Sequence, residues 1–415
     1  MKELKMDHPQ EVRGRARLIA ALLGLACTTF PAVLSAQEAE PVDSIRRATP
    51  SGEYIDPASF FRFHGYVTLN FSEAGSQLGS EVGATPQILV SGLSSRTGRN
   101  ESGFKNDAAL FVGGEPFDGV GTVMEIHFVG NAMDPVLTEA KITWDVVDRD
   151  DASLQIAAGR FWWPFGIHNG EWFSSVNRFA AISPAAAEAV PAHYNEVGFM
   201  ADGAAWLGEG VGLNYVVSVG NGVPSFELMP NVMGTSIDTN GNRTLTARAG
   251  LVFGGDVRVE LGFSGAGGDL RAGEDASLAS DDPHRYAADF VAWGPDVQVH
   301  AGGWELSGYY YRSSEDLVGA PLSSLDREGL TVETAYLIPV DGERFRGVSL
   351  QARGSFADED RLDGTVFRRV QWAFGGTLHL TRSLRGKIGY VVQREGLDAP
   401  DISNNLFSIS LTAEF

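Results

Sequence analysis

The last eleven residues, Asn405 to Phe415, alternate without a break. Phe407, Ile409, Leu411, Ala413 and Phe415 fall on one face, and Ser408, Ser410, Thr412 and Glu414 on the other. A period of two puts every apolar side chain on one side of a sheet, and about nine to eleven residues is the length a tilted strand needs to cross a bilayer. The chain is therefore expected to end as a membrane-spanning β-strand with an aromatic at the boundary. The last strand of a soluble sandwich carries the same alternation, and the rest of the chain has to decide between the two.

The N-terminus names the compartment. Lys2, Lys5, Arg13, Arg15 and Arg17 precede an apolar run from Leu18 that continues through Cys27, Phe30 and Val33 to Leu34-Ser35-Ala36, followed by the polar Gln37-Glu38-Ala39-Glu40. This reads as a secretory signal peptide over 1–36, cleaved after Ala36. The run is too short for a spanning helix, and no later stretch offers eighteen consecutive apolar residues. The only cysteine, Cys27, lies inside the leader, so the mature chain carries no thiol. Lipidation of Cys27 is disfavoured because Gly24 stands where a leucine is expected. Residues 37–59 are polar and read as a short periplasmic extension, and 60–415 as a single barrel.

Fifty glycines and 10% aromatics describe apolar surface spread over alternating positions rather than gathered in helices. The formal charge of −21 becomes −23 without the leader, whose five basic and three acidic residues contribute +2. With no polybasic stretch in the mature chain, nucleic acid is excluded as a partner.

Alternating segments recur about sixteen times, an even number as bacterial barrels require. Tight connections such as Asp148 to Asp151, Gly208 to Gly210 and Arg382-Ser383 alternate with long polar ones such as 73–104, 221–241 and 266–283. Short periplasmic turns and long external loops are the parity of an all-β, antiparallel transmembrane barrel of about sixteen strands. Gly294-Pro295-Asp296 interrupts the segment 284–301, because proline removes a ladder hydrogen bond. One long strand with a distortion near its periplasmic end is the expectation, and eighteen strands the alternative.

The insertion between the fifth and sixth strands, about 164–194, is rich in aromatics and small residues: Trp162-Trp163-Pro164-Phe165-Gly166, then Trp172-Phe173, then an alanine-rich piece. Such a composition fits a segment folded inward against the barrel wall. Ala180 to Val190 is predicted to contain a short helix with Ser183 as N-cap and Pro184 at its first position. Candidate constriction residues are Phe165, His168, Glu171, Arg178, Glu188 and His193.

Gly159, Phe161, Pro164, Phe165 and Gly166, followed some thirty residues later by Glu196-Val197-Gly198, resemble the phosphate-selective porin O and P family. The run Gly329 to Tyr336 and the Val348 to Ser355 strand with Arg353 are similar to its C-terminal half. The resemblance covers most of the mature chain through short, permissive motifs. It implies a sixteen-stranded trimeric channel constricted by its third external loop. The terminal Phe415 likewise resembles the signal read by the barrel assembly machinery of the Gram-negative outer membrane.

Phosphate selectivity in that family rests on ladders of lumenal arginine and lysine. Taking the polar register of each strand as inward, the basic candidates are Arg62, Lys141, Arg248, Arg258, Arg353, Arg369, Arg385 and Lys387. The acidic ones include Glu125, Glu139, Asp145, Glu260, Glu305, Glu333 and Glu414. The two sets are near balance, and no dense basic ladder emerges. Arg353, Arg369, Arg385 and Lys387 come from three consecutive strands and would form one wall, opposite the inserted loop, with Glu125, Glu139 and Asp145 supplied by the N-terminal strands. Opposed charges across a constriction set up a transverse field that orients dipolar solutes and excludes apolar ones. The alternative is that these arginines pair with neighbouring carboxylates and fill the lumen.

These readings converge on an outer-membrane porin that passes small hydrophilic solutes or ions, with a phosphate-like anion preference as one option. A substrate-specific channel for sugars or organic acids stays open, as does a plugged structural or adhesive barrel. An enzyme is not expected: no serine sits in a nucleophile-elbow context and the histidines are scattered. No cofactor or metal is called for, although His168 and His193 with Glu171 or Glu188 would suffice for a metal if they met. Expected partners are outer-membrane lipid and lipopolysaccharide, two further copies of the chain, and the assembly machinery.

Overall fold

The computed structural model describes residues 62–74, 89–90, 93–94, 103–129, 135–167, 177–179, 183–190, 195–221, 243–269, 287–317, 324–340, 342, 345–360, 366–397 and 405–415. The leader and the 37–59 extension lie outside them. Sixteen strands close into one antiparallel barrel in which each pairs with its neighbours in sequence and the first pairs with the last. They are β1 (Arg62–Ala74), β2 (Gly103–Phe117), β3 (Val120–Val129), β4 (Val136–Arg149), β5 (Ala152–Trp162), β6 (Asn195–Gly208), β7 (Val211–Gly220) and β8 (Thr244–Phe253). The second half comprises β9 (Val257–Asp269), β10 (Ala287–Ala301), β11 (Trp304–Leu317), β12 (Ser324–Pro339), β13 (Gly347–Asp360), β14 (Val366–His379), β15 (Leu384–Leu397) and β16 (Leu406–Glu414).

Alternation places the side chains. Along β12 the burial pattern switches at every residue from Ser324 to Leu337, so Leu325, Arg327, Thr331, Glu333 and Ala335 turn into the lumen. Outward positions make an apolar belt that includes Leu69, Ile142, Leu251, Leu261, Leu350, Phe374 and Leu411, all exposed. Exposed apolar side chains around a whole barrel are stable only against lipid. No helix among the described residues is long and apolar enough to cross a membrane, and strands do the crossing here.

Short turns such as Asp118-Gly119, Glu209-Gly210 and Gly302-Gly303 gather at one end, the periplasmic end of such barrels. The chain terminus lies at that end too. Phe415 exchanges backbone hydrogen bonds with Gly65, N to O at 2.9 and 3.0 Å, and extends the seam that runs from Tyr66–Glu414 to Ala74–Leu406. A β-carbon on Gly65 would lie 2.7 Å from the Phe415 ring and from the carbonyl of Ala109, so glycine is the socket into which the terminal ring packs.

Gly294-Pro295 does not split its segment. β10 runs unbroken on the β9 side, where Pro295 faces Phe263. On the β11 side pairing lapses between Trp293–Arg312 and Asp296–Tyr309 and resumes in the same register. The eighteen-strand alternative is thereby removed. The interruption sits in mid-strand rather than near the periplasmic end, because the proline's missing N–H costs one side of one ladder and nothing else.

Candidate functional site

The connection from β5 to β6 enters the barrel. Pro164 and Gly166 turn the chain inward directly after β5, and Gly166 has φ +70°, a left-handed conformation that glycine adopts without strain. Trp163 and Phe165 are completely buried, their rings stacked with centroids 5.0 Å apart, and Phe165 meets Tyr311 edge-on at 5.2 Å. They pack with Phe290, Ala292 and Tyr309 from the inner faces of β10 and β11. Two backbone amides, otherwise orphaned by leaving the sheet, donate to the wall: Gly166 to the Ser264 hydroxyl at 2.9 Å and Ile167 to Tyr311 at 3.1 Å.

The helix α1 (Pro184–Glu188) docks on the same wall. Ser183 caps it by accepting from the Ala186 amide at 3.2 Å, with Pro184 in its first turn, as the sequence predicts. Ala185 and Ala186 are buried, the Ala189 carbonyl accepts from Ser313 at 2.6 Å, and Ala185 lies so close to β12 that a β-carbon on Gly329 would come within 2.5 Å of it. Small residues on the helix and glycine on the strand let backbone approach backbone.

Between these anchors, Asn177 to Phe179 lie across β11 to β15. Arg178 forms ion pairs with Glu305 and with Glu333, the latter at 3.3 Å, and its carbonyl accepts from Gln351 at 2.8 Å. Lys387 donates to the Asn177 carbonyl at 2.6 Å, and the Arg353 guanidinium sits 4.6 Å from the centre of the Phe179 ring. The basic wall is therefore underneath the inserted loop, not opposite it as the sequence suggested. Contacts made by the loop's own backbone carbonyls draw it there, and a one-dimensional register carries no trace of them.

Of the basic candidates, Arg248, Arg258, Arg353, Arg369, Arg385 and Lys387 stand on inward-facing positions. Arg353 and Arg369 are buried, Arg353 donating to Gln371 at 2.8 Å and Arg369 pairing with Glu395 at 3.5 Å. Arg385 pairs with Glu414 at 3.2 Å. Arg248 is bracketed by Glu260 and Asp296 at 2.8 and 2.7 Å. Arg258 lies near the periplasmic end of β9, across from His300. Among the acidic candidates, Glu125 is fully buried and accepts from the Trp162 indole at 2.9 Å, Glu139 pairs with Lys141, and Asp145 accepts from Gln155 at 2.6 Å. Glu125 is thus occupied in fastening the base of the loop. The basic set spans β13 to β15 and the acidic set β3 and β4, four to seven strands apart round a ring of sixteen, so the two sets face each other obliquely, Arg353 the most nearly opposite.

Phe165 and Arg178 are anchors of the loop. His168, Glu171 and His193 lie outside the described residues, as does the side chain of Glu188, and the metal arrangement considered for them lies there too. Among the described residues no group of three metal-ligating side chains converges. Sequence reasoning passed over Ser349, Gln351, Thr377 and His379, which line a pocket of about 260 Å³ below Asn177-Arg178. The period-two register names them as inward just as it names the charges, but attention to charge alone left the neutral polar residues out.

Solved structures share this architecture. OmpT, an outer-membrane protein of Vibrio cholerae, superposes with a TM-score of 0.53 at 11% identity, over 86% of this chain and 97% of that one. An anion-selective porin from Comamonas acidovorans gives 0.52 at 11% identity, over 86% and 99%. OmpF of Salmonella typhi, in a complex with daunomycin, gives 0.51 at 10%, over 86% and 97%. The fold is that of the outer-membrane porins. At such identities the likeness is one of fold alone, and it makes this chain a multi-pass outer-membrane-type β-barrel. No protein-family model matches the sequence, and no curated protein matches it. These neighbours do not single out the phosphate-selective O and P family.

Proposed function

We propose that this protein is a passive diffusion porin for small hydrophilic solutes, constricted by its third external loop and only weakly selective for charge. The observation that carries the reading is the combination of a porin fold, a polar lumen and a loop anchored inside it. Charge pairing along that lumen argues for weak selectivity. Arg178, Arg248, Arg369 and Arg385 each stand beside a carboxylate within 3.5 Å, so little of their field is left for a passing ion. The phosphate-family motif, Gly159 to Gly166, supports the loop's path. It does not bring with it a basic ladder. OmpT of Vibrio cholerae, folded in vitro, has been solved in a trimer form. A homotrimer embedded in lipid and lipopolysaccharide is the assembly we infer for this chain, with Phe415 as the mark read by the assembly machinery and 1–36 removed on export.

Planar-bilayer recording of the refolded mature protein tests this. Discrete conductance steps in groups of three are expected, with a reversal potential close to zero across a potassium chloride gradient and little change when phosphate replaces chloride. Absence of any conductance would transfer the weight to a plugged structural barrel. A strong anion-selective reversal potential would restore the phosphate-like preference.

A further inference from the structure

Below the Asn177–Phe179 segment, the inner wall from β11 to β15 holds the 260 Å³ pocket, on the turn side of the barrel. Its floor is polar, made of Ser349, Gln351, Thr377 and His379, with Ser349 Oγ hydrogen-bonded to His379 Nε2 at 2.8 Å. Ser349 and Thr377 face each other across β13 and β14, and Gln351 follows on β13. Charged groups stand at the two ends: Arg178 with Glu305 at one, Lys387 and Arg385 with Glu414 at the other.

The direction of each hydrogen bond tells what a solute would meet. Gln351 Nε2 donates to the Arg178 carbonyl at 2.8 Å and to Thr377 Oγ1 at 3.1 Å. A carbonyl can only accept, so the nitrogen end of the amide is fixed, and both its protons are committed. What Gln351 has left to offer is its amide oxygen, an acceptor. Thr377, accepting from Gln351, keeps its hydroxyl proton to donate. The Glu305 carboxylate, with its side chain 41% exposed, is a second acceptor, while Lys387 and Arg385 are donors.

Acceptors and donors thus alternate within one pocket. An ionised carboxylate or phosphoryl oxygen only accepts, so wherever it is set against the Gln351 oxygen or Glu305 it leaves that acceptor without a proton and brings like charge to Glu305. A hydroxyl donates and accepts, and satisfies both kinds of neighbour. Arg178 and Arg385 stand against Glu305, Glu333 and Glu414, which takes away most of the field that would recruit an anion. Ala335 and Leu337 add a small apolar strip of the kind that suits the C–H face of a ring.

We propose that this pocket is a binding subsite for a small neutral polyhydroxylated solute, of the size of a hexose, which dwells there on its way through the lumen. The proposal rests on the porin reading for its physiological sense, but its test does not. Titration calorimetry of the folded mature protein in detergent, with D-glucose, D-glucuronate and inorganic phosphate as separate titrants, reads the site without any conduction. Saturable glucose binding is expected, with glucuronate and phosphate about tenfold weaker or more, the cost of one mismatched hydrogen-bonding group. Thr377→Val and Ser349→Ala should each weaken glucose binding by about tenfold, whereas Gln155→Ala on β5 binds glucose as the unmodified protein does. Heat-modifiable gel mobility verifies that each variant is folded, and two independent floor variants guard against the loss of one. Absent glucose binding, tighter binding of either anion, or floor variants that bind like the parent would each overturn the subsite. A conducting channel without glucose binding sinks the subsite and spares the porin reading; glucose binding by a protein that never conducts does the reverse.

Discussion

Single side chains in this lumen differ less in charge than in what they are charged against. Arg369, 6% exposed at its side chain, faces Glu395 from the adjacent strand, whereas Arg385, 30% exposed, shares Glu414 with solvent. Removing one partner of a buried pair leaves a charge uncompensated and costs about 3–5 kcal/mol, while an exposed pair contributes about 0–1 kcal/mol. Arg369→Gln should therefore lower the thermal unfolding midpoint in detergent and leave the reversal potential where it was. Arg385→Gln, at a half-buried pair, should lower the midpoint less and shift the reversal potential toward cations by leaving Glu414 unneutralised. If both variants change selectivity equally, burial is not what separates them. Register alone made the two arginines equivalent, because a period of two says which way a side chain turns and nothing about how deeply its partner covers it.

At the scale of elements, the inserted loop behaves as a piece of core rather than as a lid. Trp163 and Phe165 fill a pocket made by Tyr309, Tyr311 and Phe290, and α1 lies on Gly329. Gly329→Val would drive its side chain into Ala185, an overpacking that costs about 1–3 kcal/mol. Detachment of α1 from the wall is the expected result, read as a larger single-channel conductance and as new proteolytic cleavage after Arg178. Unchanged conductance with Arg178 still protected would mean that the loop is held by its aromatic anchor alone. Much of this element was legible in the sequence: the aromatic run, the Ser183-Pro184 cap and the alanines foretold an inward segment with a short helix. Its destination was not. The wall that receives it is built from Ser264, Tyr309, Tyr311 and Gly329 on three strands, and no local pattern links residues so far apart in the chain.

Across the whole molecule, strand number, parity and the inward or outward sense of each strand followed from alternation and connection length, since a barrel is a local rule repeated sixteen times. Closure is the exception, as it joins the two ends of the chain. The Phe415 ring seated on Gly65 is the last contact of that seam, and Gly65→Leu should unseat it without touching the lumen. The folded form on a heat-modifiable gel is expected to convert at a lower temperature, with conductance unaltered. A variant as heat-resistant as the parent would show that the nine register pairs above it close the barrel by themselves.

The apolar cluster on β9 to β12 has a consequence for how the chain accepts change over time. Inward positions of that sector, such as Ala266, Phe290, Ala292 and Tyr311, are sealed by the loop, whereas inward positions of β1 to β3, such as Thr68, Asn70, Asp107 and His127, are polar. The same face of the same sheet therefore obeys two rules of substitution. A polar replacement in the first sector strands an unpaired group in a dry interior, and an apolar one in the second breaks a hydrogen-bonded network. Drift in sequence is therefore steered by opposite chemistry on two sides of one cylinder, toward apolar residues in the first sector and toward hydrogen-bonding ones in the second.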